Sequence, residues 1–192
     1  MVVTGNKGPF LTVSGILAGQ TPQVVNVFKK ALPFFECIIE IGGGRGGFST
    51  FLNANKKGGA RFISYEINRS RLLLAEDSPL DMRIGDCFHP ATFNEIKGII
   101  SQPLKTLLLC DGGNKPKEFI SFAPSLKRGD VIMCHDYCHD PKDWKDITQK
   151  IAWPTGPEVY RKDISSPILD NGLAPFKYDS FKSVLWGSFV KE

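Results

Sequence analysis

Runs of apolar residues alternate along the chain with helix-forming segments. The short, continuous apolar runs predict five buried strands, at Glu36–Ile41, Arg61–Glu66, Met82–Ile84, Thr106–Cys110 and Val131–Cys134. Helices are predicted from Thr21 to Leu32 and at Phe48–Asn55, Arg69–Glu76, Pro90–Ile100, Asn114–Leu126 and Asp140–Lys150. Strands that alternate with helices of this length are typical of a mostly parallel sheet with helices on both faces. The fold class is therefore predicted to be α/β.

The C-terminal part of the chain breaks this alternation. Leu173–Tyr178 and Ser183–Val190 have the pattern of two strands, and only Asp179–Lys182 separates them. A crossover between parallel strands needs about a dozen residues or more, so this short connection predicts an antiparallel hairpin. We therefore expect a parallel sheet with one reversed strand in a C-terminal hairpin.

Length and composition limit the possible functions. The 192 residues show no repeat or low-complexity tract, which predicts a single domain over residues 1–192. The net charge is +4, but the lysines and arginines are scattered, so nucleic acid is not expected as a partner. No segment approaches the ~20 apolar residues that span a bilayer, and the N-terminus does not resemble a signal peptide. Five cysteines, mostly in apolar runs, favour reduced thiols and a cytoplasmic location.

A glycine-rich segment follows the first predicted strand. Gly42, Gly44 and Gly46 lie between that strand and the next predicted helix. Such a turn lets the backbone approach a nucleotide-like ligand, which a Cβ atom would prevent. Glu40 comes two residues before the first glycine and favours a ligand with a positive charge and hydroxyl groups over a pyrophosphate.

Acidic residues stand at the end of every predicted parallel strand. Ligands of open parallel sheets bind outside the carboxyl ends of the strands, so these residues predict one shared site. Glu66 follows Gly46 by twenty residues, a spacing suited to a carboxylate that accepts hydrogen bonds from ribose hydroxyls. Asp86 is suited to an exocyclic amine, with the Cys87 backbone at a base edge. The complete set is Glu40, Glu66, Asp86, Asp111 and the pair His135–Asp136.

Together with the segment GDVIMCHDY at 129–137, this ordered set resembles the motifs of class I S-adenosylmethionine-dependent methyltransferases. The resemblance covers about residues 19–190. It implies a Rossmann-like, doubly wound sheet of seven strands with the last one antiparallel, and methyl transfer to a small molecule, with an oxygen as the expected acceptor. It also implies the cofactor-binding residues: Glu40, Gly42, Gly44 and Gly46 beside the methionine part, Glu66 at the ribose, Asp86 and Cys87 at the adenine, and Asp111 near the methyl donor.

Asp111, His135 and Asp136 further resemble the cation-binding positions of catechol-type and macrolide or sugar O-methyltransferases. This implies Mg²⁺ or another divalent cation, although His135 stands where catechol-type enzymes carry an acid. Asp111, Lys115, His135 and Asp136 are the candidate catalytic residues, with His135 a candidate general base. His135 is equally well interpreted as a structural histidine bonded to backbone. Because side chains alternate along a strand, His135 and Asp136 face one site only if the chain leaves the strand there.

Two other functions fit parts of the sequence. Gly42, Gly44 and Gly47 also satisfy the dinucleotide fingerprint, and Glu66 also suits an NAD(P)-dependent oxidoreductase. Glu40 argues against this alternative, because it would place a carboxylate beside a pyrophosphate. The predicted C-terminal hairpin argues against it as well. The second alternative is a protein that binds S-adenosylmethionine without catalysing a reaction. The sequence does not predict the oligomeric state.

Overall fold

The structure is a computed structural model that describes residues 4–75, 78–151 and 153–192. The strands within these ranges are β1 (Thr4–Lys7), β2 (Phe10–Val13), β3 (Ile16–Leu17), β4 (Cys37–Ile41), β5 (Arg61–Glu66), β6 (Met82–Ile84), β7 (Thr106–Cys110), β8 (Val131–Cys134), β9 (Tyr137–Cys138), β10 (Val159–Tyr160), β11 (Leu173–Pro175) and β12 (Gly187–Lys191). The α-helices are α1 (Val24–Ala31), α2 (Gly47–Asn55), α3 (Pro90–Ile100), α4 (Lys115–Phe122), α5 (Pro141–Ile151), α6 (Ser165–Asp170) and α7 (Tyr178–Lys182).

The central sheet has seven strands within the described ranges, in the order β11-β12-β8-β7-β4-β5-β6. β12 runs antiparallel to both of its neighbours, β8 and β11. The pairs β8–β7, β7–β4, β4–β5 and β5–β6 are parallel. The predicted α/β class and the single reversed strand are therefore confirmed. The chain builds outward from β4 to β6 and then returns to β7, so the strand order reverses between β4 and β7.

Helices cover both faces of this sheet. All five residues of β4 are buried, and successive side chains point to opposite faces. Ile39 belongs to the core cluster that contains Phe119 of α4, and Ile38 belongs to the cluster that contains Phe28 of α1 and Phe51 of α2. Burial on both faces explains why these strands are continuous apolar runs in the sequence.

The prediction of a helix over Arg69–Glu76 is wrong. Only a single 3₁₀ turn forms, at Arg69–Arg71, and Asn68 caps it by accepting a hydrogen bond from the Ser70 amide. The chain is extended at Leu72, and the next amide donates to the carbonyl of Arg45. Contacts with the glycine-rich turn thus outweigh helix propensity in this segment. Glu76 lies outside the described residues.

The C-terminal pairing is confirmed, but its connection is longer than predicted. Leu173 pairs with Lys191 and Pro175 with Phe189 in antiparallel register. Helix α7 lies between these strands, where the sequence suggested four linking residues. Phe181 of α7 is fully buried in the core, so the segment buries an aromatic side chain that a tight turn would have exposed.

Two smaller helix predictions also need correction. The helix expected from Thr21 begins at Val24, and the Thr21 hydroxyl has no hydrogen-bond partner among the described residues. The helix expected to reach Leu126 ends at Phe122 and continues as a 3₁₀ turn. Asn114 caps this helix, because its side chain accepts a hydrogen bond from the Lys117 amide.

The sequence did not predict the N-terminal sheet, a three-stranded antiparallel meander of β1, β2 and β3. The buried side chains of Leu11 and Val13 pack this meander against the rest of the domain, while β1 is exposed. Its last strand packs on the start of α2, where a Cβ atom at Gly47 would lie 2.8 Å from the carbonyl oxygen of Ile16. The meander therefore delivers residues 17–20 to the carboxyl edge of the central sheet.

Two further predictions from the sequence concern the cysteines and membrane-spanning segments. The five cysteines are all unbridged and buried, in agreement with the expected reduced thiols. Among the described residues, no helix combines the length and the apolar character that crossing a bilayer requires.

Candidate active site

The carboxyl ends of the parallel strands open into a cavity of about 670 Å³. It lies where the strand order reverses between β4 and β7, the usual ligand position in open α/β sheets. Of the predicted site residues, those that line the cavity are Glu40, Gly42, Gly44, Glu66, Asp86, Cys87, Asp111, Lys115, His135 and Asp136. The structure thus brings together residues from five strand ends, as the sequence predicted.

Gly46 is the exception among the predicted residues, because it does not line the cavity. It is the N-cap of α2, in a left-handed conformation with φ of 87°. A Cβ atom there would lie 2.5 Å from the Leu74 side chain, so Gly46 faces the segment after β5. The prediction of a cofactor contact at Gly46 is therefore not supported, and the need for glycine there is conformational.

Glu66 is fixed in the wall of the cavity. Its side chain accepts hydrogen bonds from the amide of Gly44 at 2.7 Å and from the amide of Asn68 at 2.9 Å. Each carboxylate oxygen has two lone pairs, so each still has capacity for a ligand hydroxyl. The glycine turn and the acid at the end of β5 therefore form one preorganised wall.

The end of β6 contributes a turn around Asp86 and Cys87. Asp86 is exposed and accepts a hydrogen bond from the Phe88 amide at 2.9 Å, which fixes the turn. Burial raises the pKa of the Cys87 thiol to about 12, so the side chain stays a neutral thiol. The Lys117 ammonium lies 4.1 Å from the centre of the Phe88 ring. The turn thus offers a carboxylate, a backbone edge and an aromatic ring to a flat ligand.

Glu40 is buried at the floor of the cavity with 1% of its surface exposed. The hydroxyls of Ser49 and Ser64 donate hydrogen bonds to it, each at 2.5 Å. Burial raises the pKa of Glu40 to about 7, although both hydrogen bonds favour the carboxylate. A positively charged ligand nearby would favour the ionised form.

On the other side of the cavity, the Lys115 ammonium lies among three carboxylates. Its Nζ is 2.6 Å from Glu158, 3.2 Å from Asp136 and 3.8 Å from Asp111. Burial acts to lower the pKa of Lys115, but the three carboxylates outweigh it and raise the pKa above its usual value. Lys115 therefore carries a positive charge at neutral pH.

His135 pairs with a carboxylate, in contrast to the backbone-bonded alternative. Its Nδ1 lies 3.0 Å from Asp111 Oδ1 and 3.5 Å from Asp136 Oδ2. Burial acts to lower its pKa, and the two carboxylates raise it above the usual value. The ring packs against Trp186 and Trp153, and Nε2 is buried without a hydrogen-bond partner among the described residues. In the neutral tautomer with its proton on Nδ1, Nε2 is a free acceptor.

Asp136 faces the same cavity as His135 because the chain leaves the strand. β8 ends at Cys134, and Asp136 has a left-handed φ of 52°. This conformation breaks the alternation that would otherwise place the two side chains on opposite faces. The indole of Trp153 donates a hydrogen bond to Asp136 Oδ1 at 3.1 Å and thereby fixes it.

No family model matches the chain, and no curated protein matches it in sequence. Solved structures match it in fold. A CmcI structure with Mg and SAM has a TM-score of 0.64 at 15% identity, over 98% of this chain and 78% of that chain. The apo-structure of CmcI gives 0.63 at 16% identity, over 92% and 74%. A SAM-dependent methyltransferase from Anabaena variabilis gives 0.54 at 14% identity, over 89% and 84%. The chain has the class I S-adenosylmethionine-dependent methyltransferase fold.

The three predicted metal ligands lie close together in this fold. Asp111, His135 and Asp136 each offer one ligand atom, and these atoms lie within 4.8 Å of one another. The set is therefore assembled, and its carboxylates suit a cation. However, the Lys115 ammonium lies 3.2 Å from one of these carboxylates and 3.8 Å from another. In this arrangement the residues do not fit a divalent ion, because a positive charge already lies among them.

Three residues beside the cluster of Asp111, Lys115, His135 and Asp136 were not predicted as site residues. Gln20 is fully buried, donates a hydrogen bond to Asp111 at 2.7 Å and accepts one from the Trp186 indole at 2.9 Å. Trp153 and Glu158 both line the cavity from the segment after α5. Neither Gln20 nor Glu158 lies in a recognisable motif, so local sequence carries no signal for them.

We expect Glu40→Gln to affect stability and ligand affinity in opposite directions. The folded state raises the pKa of Glu40 from 4.5 to about 7, so the stability of the free protein falls as pH rises through this range. Glutamine cannot ionise, so the variant should melt at a higher temperature than wild type at about pH 8 and at a similar temperature at about pH 5. Its affinity for S-adenosylmethionine should fall at the higher pH, because the cationic ligand loses a carboxylate partner. Thermal unfolding and calorimetry at both pH values measure these effects, and an equal melting shift at both pH values would contradict the ionisation of Glu40.

Proposed function

We propose that this protein is an S-adenosylmethionine-dependent methyltransferase that methylates an oxygen atom of a small molecule. The observation that supports this most directly is the shared cavity. One wall presents the buried acids Glu40 and Glu66, and the other presents His135 beside Asp111 and Asp136. The class I methyltransferase fold places such a cavity at the carboxyl edge of the sheet.

The two walls suit different ligands. Glu66 has free lone pairs for ribose hydroxyls, and Glu40 is suited to the positively charged methionine part of the cofactor. The CmcI structures with Mg and SAM and with SAH are of proteins with the same fold. Arg45 and Arg71 also line the cavity. The pyrophosphate of a dinucleotide would therefore meet both acidic and basic side chains in this cavity. Dinucleotides are for this reason the alternative ligands whose binding is compared with that of S-adenosylhomocysteine.

S-adenosylmethionine supplies a methyl group on a positively charged sulfur, which leaves as a neutral thioether. The acceptor hydroxyl must lose its proton as its oxygen forms the new bond to the methyl carbon. His135 is suited to take this proton at Nε2, because Asp111 accepts the hydrogen bond from Nδ1 and stabilises the imidazolium that results. The remaining contribution of the protein is to align the acceptor and exclude water, which Trp153 and Trp186 support by packing around His135.

Calorimetry of the wild-type protein with S-adenosylhomocysteine, NAD⁺ and NADP⁺ tests the cofactor assignment. We expect saturable binding of S-adenosylhomocysteine and much weaker or no binding of either dinucleotide. Tighter binding of a dinucleotide would support the oxidoreductase alternative. No binding of S-adenosylhomocysteine would contradict the proposed function.

We expect His135→Asn to lower the rate of methyl transfer by about 10²- to 10⁴-fold, the usual contribution of a general base. The assay transfers a labelled methyl group from S-adenosylmethionine to a panel of hydroxylated small molecules. His139→Asn is the matched control, because the His139 side chain is 58% exposed and lies outside the cavity. Affinity for S-adenosylhomocysteine should stay near wild type in both variants. An unchanged rate in His135→Asn would exclude the proposed role, and cofactor binding without transfer by the wild type would favour the non-catalytic alternative.

A further inference from the structure

We propose that the Lys115 ammonium occupies the place of a divalent cation in this site, so that the protein works without a bound metal. This inference rests on the proposed methyltransferase function and departs from the Mg-containing CmcI structure of the same fold. It assigns to Lys115 the positive charge that faces the methyl acceptor.

The carboxylates converge on the lysine from three separate parts of the chain. Asp111 follows β7, Asp136 follows β8, and Glu158 comes from the segment before β10. Their distances to Nζ are 3.8, 3.2 and 2.6 Å, and only 6% of the Lys115 side chain is exposed. A lysine this buried and this surrounded is part of the site and does not belong to the solvated surface.

The backbone before Lys115 is fixed, so the position of its side chain is built into the fold. The carboxylate of Glu118 accepts hydrogen bonds from the amides of Gly112 and Asn114, each at 3.1 Å. A Cβ atom at Gly112 would lie 2.3 Å from the Glu118 carboxylate, so a larger residue there would displace the side chain that fixes this turn. Lys115 is the first residue of α4, and Asn114 caps that helix. The turn after β7 therefore delivers the ammonium to the acids.

The ammonium also retains a donor for a ligand. Lysine has three N–H donors; one donates to Glu158, and Asp136 lies 3.2 Å from Nζ as an ion pair. Asp111, at 3.8 Å, is beyond hydrogen-bond distance. Because Lys115 lines the cavity, its third donor is available to an acceptor oxygen. One ammonium donor engages a single oxygen, whereas a metal ion can bind two at once, so the site is suited to an acceptor recognised through one hydroxyl.

Binding of Mn²⁺ to the full chain, followed by electron paramagnetic resonance, tests the inference without depending on activity. We expect wild type to leave the free Mn²⁺ signal unchanged. Lys115→Ala, which leaves the three carboxylates without their cation, should bind one ion per chain. Lys115→Gln, of similar length and without charge, should also gain Mn²⁺ binding and is the second variant if the first does not fold. Lys117→Ala is the matched control, since Lys117 lies on the same helix and contacts Phe88, and it should behave as wild type.

Two results would overturn the inference. One is a stoichiometric Mn²⁺ site in wild type that Asp136→Asn removes. The other is a folded Lys115→Ala or Lys115→Gln protein that binds no Mn²⁺. If neither variant folds, the presence or absence of Mn²⁺ binding in wild type alone decides whether the inference holds. Calorimetry with S-adenosylhomocysteine on the same preparations separates this outcome from the proposed function: cofactor binding together with wild-type Mn²⁺ binding would overturn the metal-free site only.

Discussion

Replacing Glu66 with alanine is expected to lower the affinity for S-adenosylhomocysteine by about 100-fold. Glu66 is the candidate ribose ligand, and hydrogen bonds to a charged group are worth about 1.5–3 kcal/mol each. Loss of two such bonds corresponds to roughly 3 kcal/mol or more, hence the ~100-fold change. The substitution also removes the hydrogen-bond acceptor for the amides of Gly44 and Asn68, which loosens the glycine turn on the same wall. Calorimetric titration of wild type and variant measures the difference.

Glu66→Gln is the matched control for this experiment. Glutamine has nearly the same volume and keeps one oxygen acceptor, so it should retain part of the wall and bind the ligand with an intermediate affinity. Circular dichroism and thermal unfolding establish that both variants are folded before the titrations are compared. If Glu66→Ala binds S-adenosylhomocysteine as tightly as wild type does, Glu66 has no role at the ribose.

The parts of the fold that the sequence predicted well are those set by local pattern. β5 to β8 and α3 have the bounds that the apolar runs and the proline at Pro90 predict. Residues at the ends of these strands could then be assigned to one site, because parallel strands place their carboxyl ends on the same edge. This explains why nearly all predicted site residues line one cavity.

The parts that could not be predicted depend on contacts between distant segments. Gln20 meets Asp111 across 91 positions of sequence, and Glu158 meets Lys115 across 43. Neither residue lies at the carboxyl end of a predicted strand or in a motif, so only the folded chain reveals its role. The helix expected after Asn68 failed for a related reason, because its backbone pairs with the glycine turn at Arg45.

The sequence also could not decide whether Lys115 or a metal ion supplies the positive charge among these acids. The sequence offered Asp111, His135 and Asp136 as metal ligands and Lys115 as a candidate catalytic residue. Residue types alone suit either role, since carboxylates bind both metal ions and ammonium groups. The distances from Lys115 to these acids, and the addition of Glu158, favour the ammonium. The competing positive charge comes from Lys115 at the start of α4, and only the folded chain shows that it lies beside Asp111 and Asp136.

Gly42→Ala is expected to destabilise the protein by about 3 kcal/mol, from a left-handed alanine and from overpacking. Gly42 has φ of 92°, and a Cβ atom there would lie 2.2 Å from the carbonyl oxygen of Asp111. That atom belongs to the backbone after β7, the strand next to β4, so it cannot move without disturbing the central sheet. For a domain of this size, the melting temperature should fall by about 10 °C. Urea unfolding measures the free energy, and affinity for S-adenosylhomocysteine should fall as well, since Gly42 lines the cavity.

Two other glycines separate the steric effect from the conformational one. Gly44 also has a positive φ, 56°, but a Cβ atom there meets nothing within 4 Å, so Gly44→Ala should cost only about 1 kcal/mol. A Cβ atom at Gly113 also meets nothing within 4 Å, and the φ of Gly113 is not positive. Gly113→Ala should therefore leave the free energy of unfolding nearly unchanged. The expected order of destabilisation is therefore Gly42, then Gly44, then Gly113. Equal losses at Gly42 and Gly44 would mean that the backbone of β7 yields to the added methyl group, and that the close approach of the two strand ends does not require glycine.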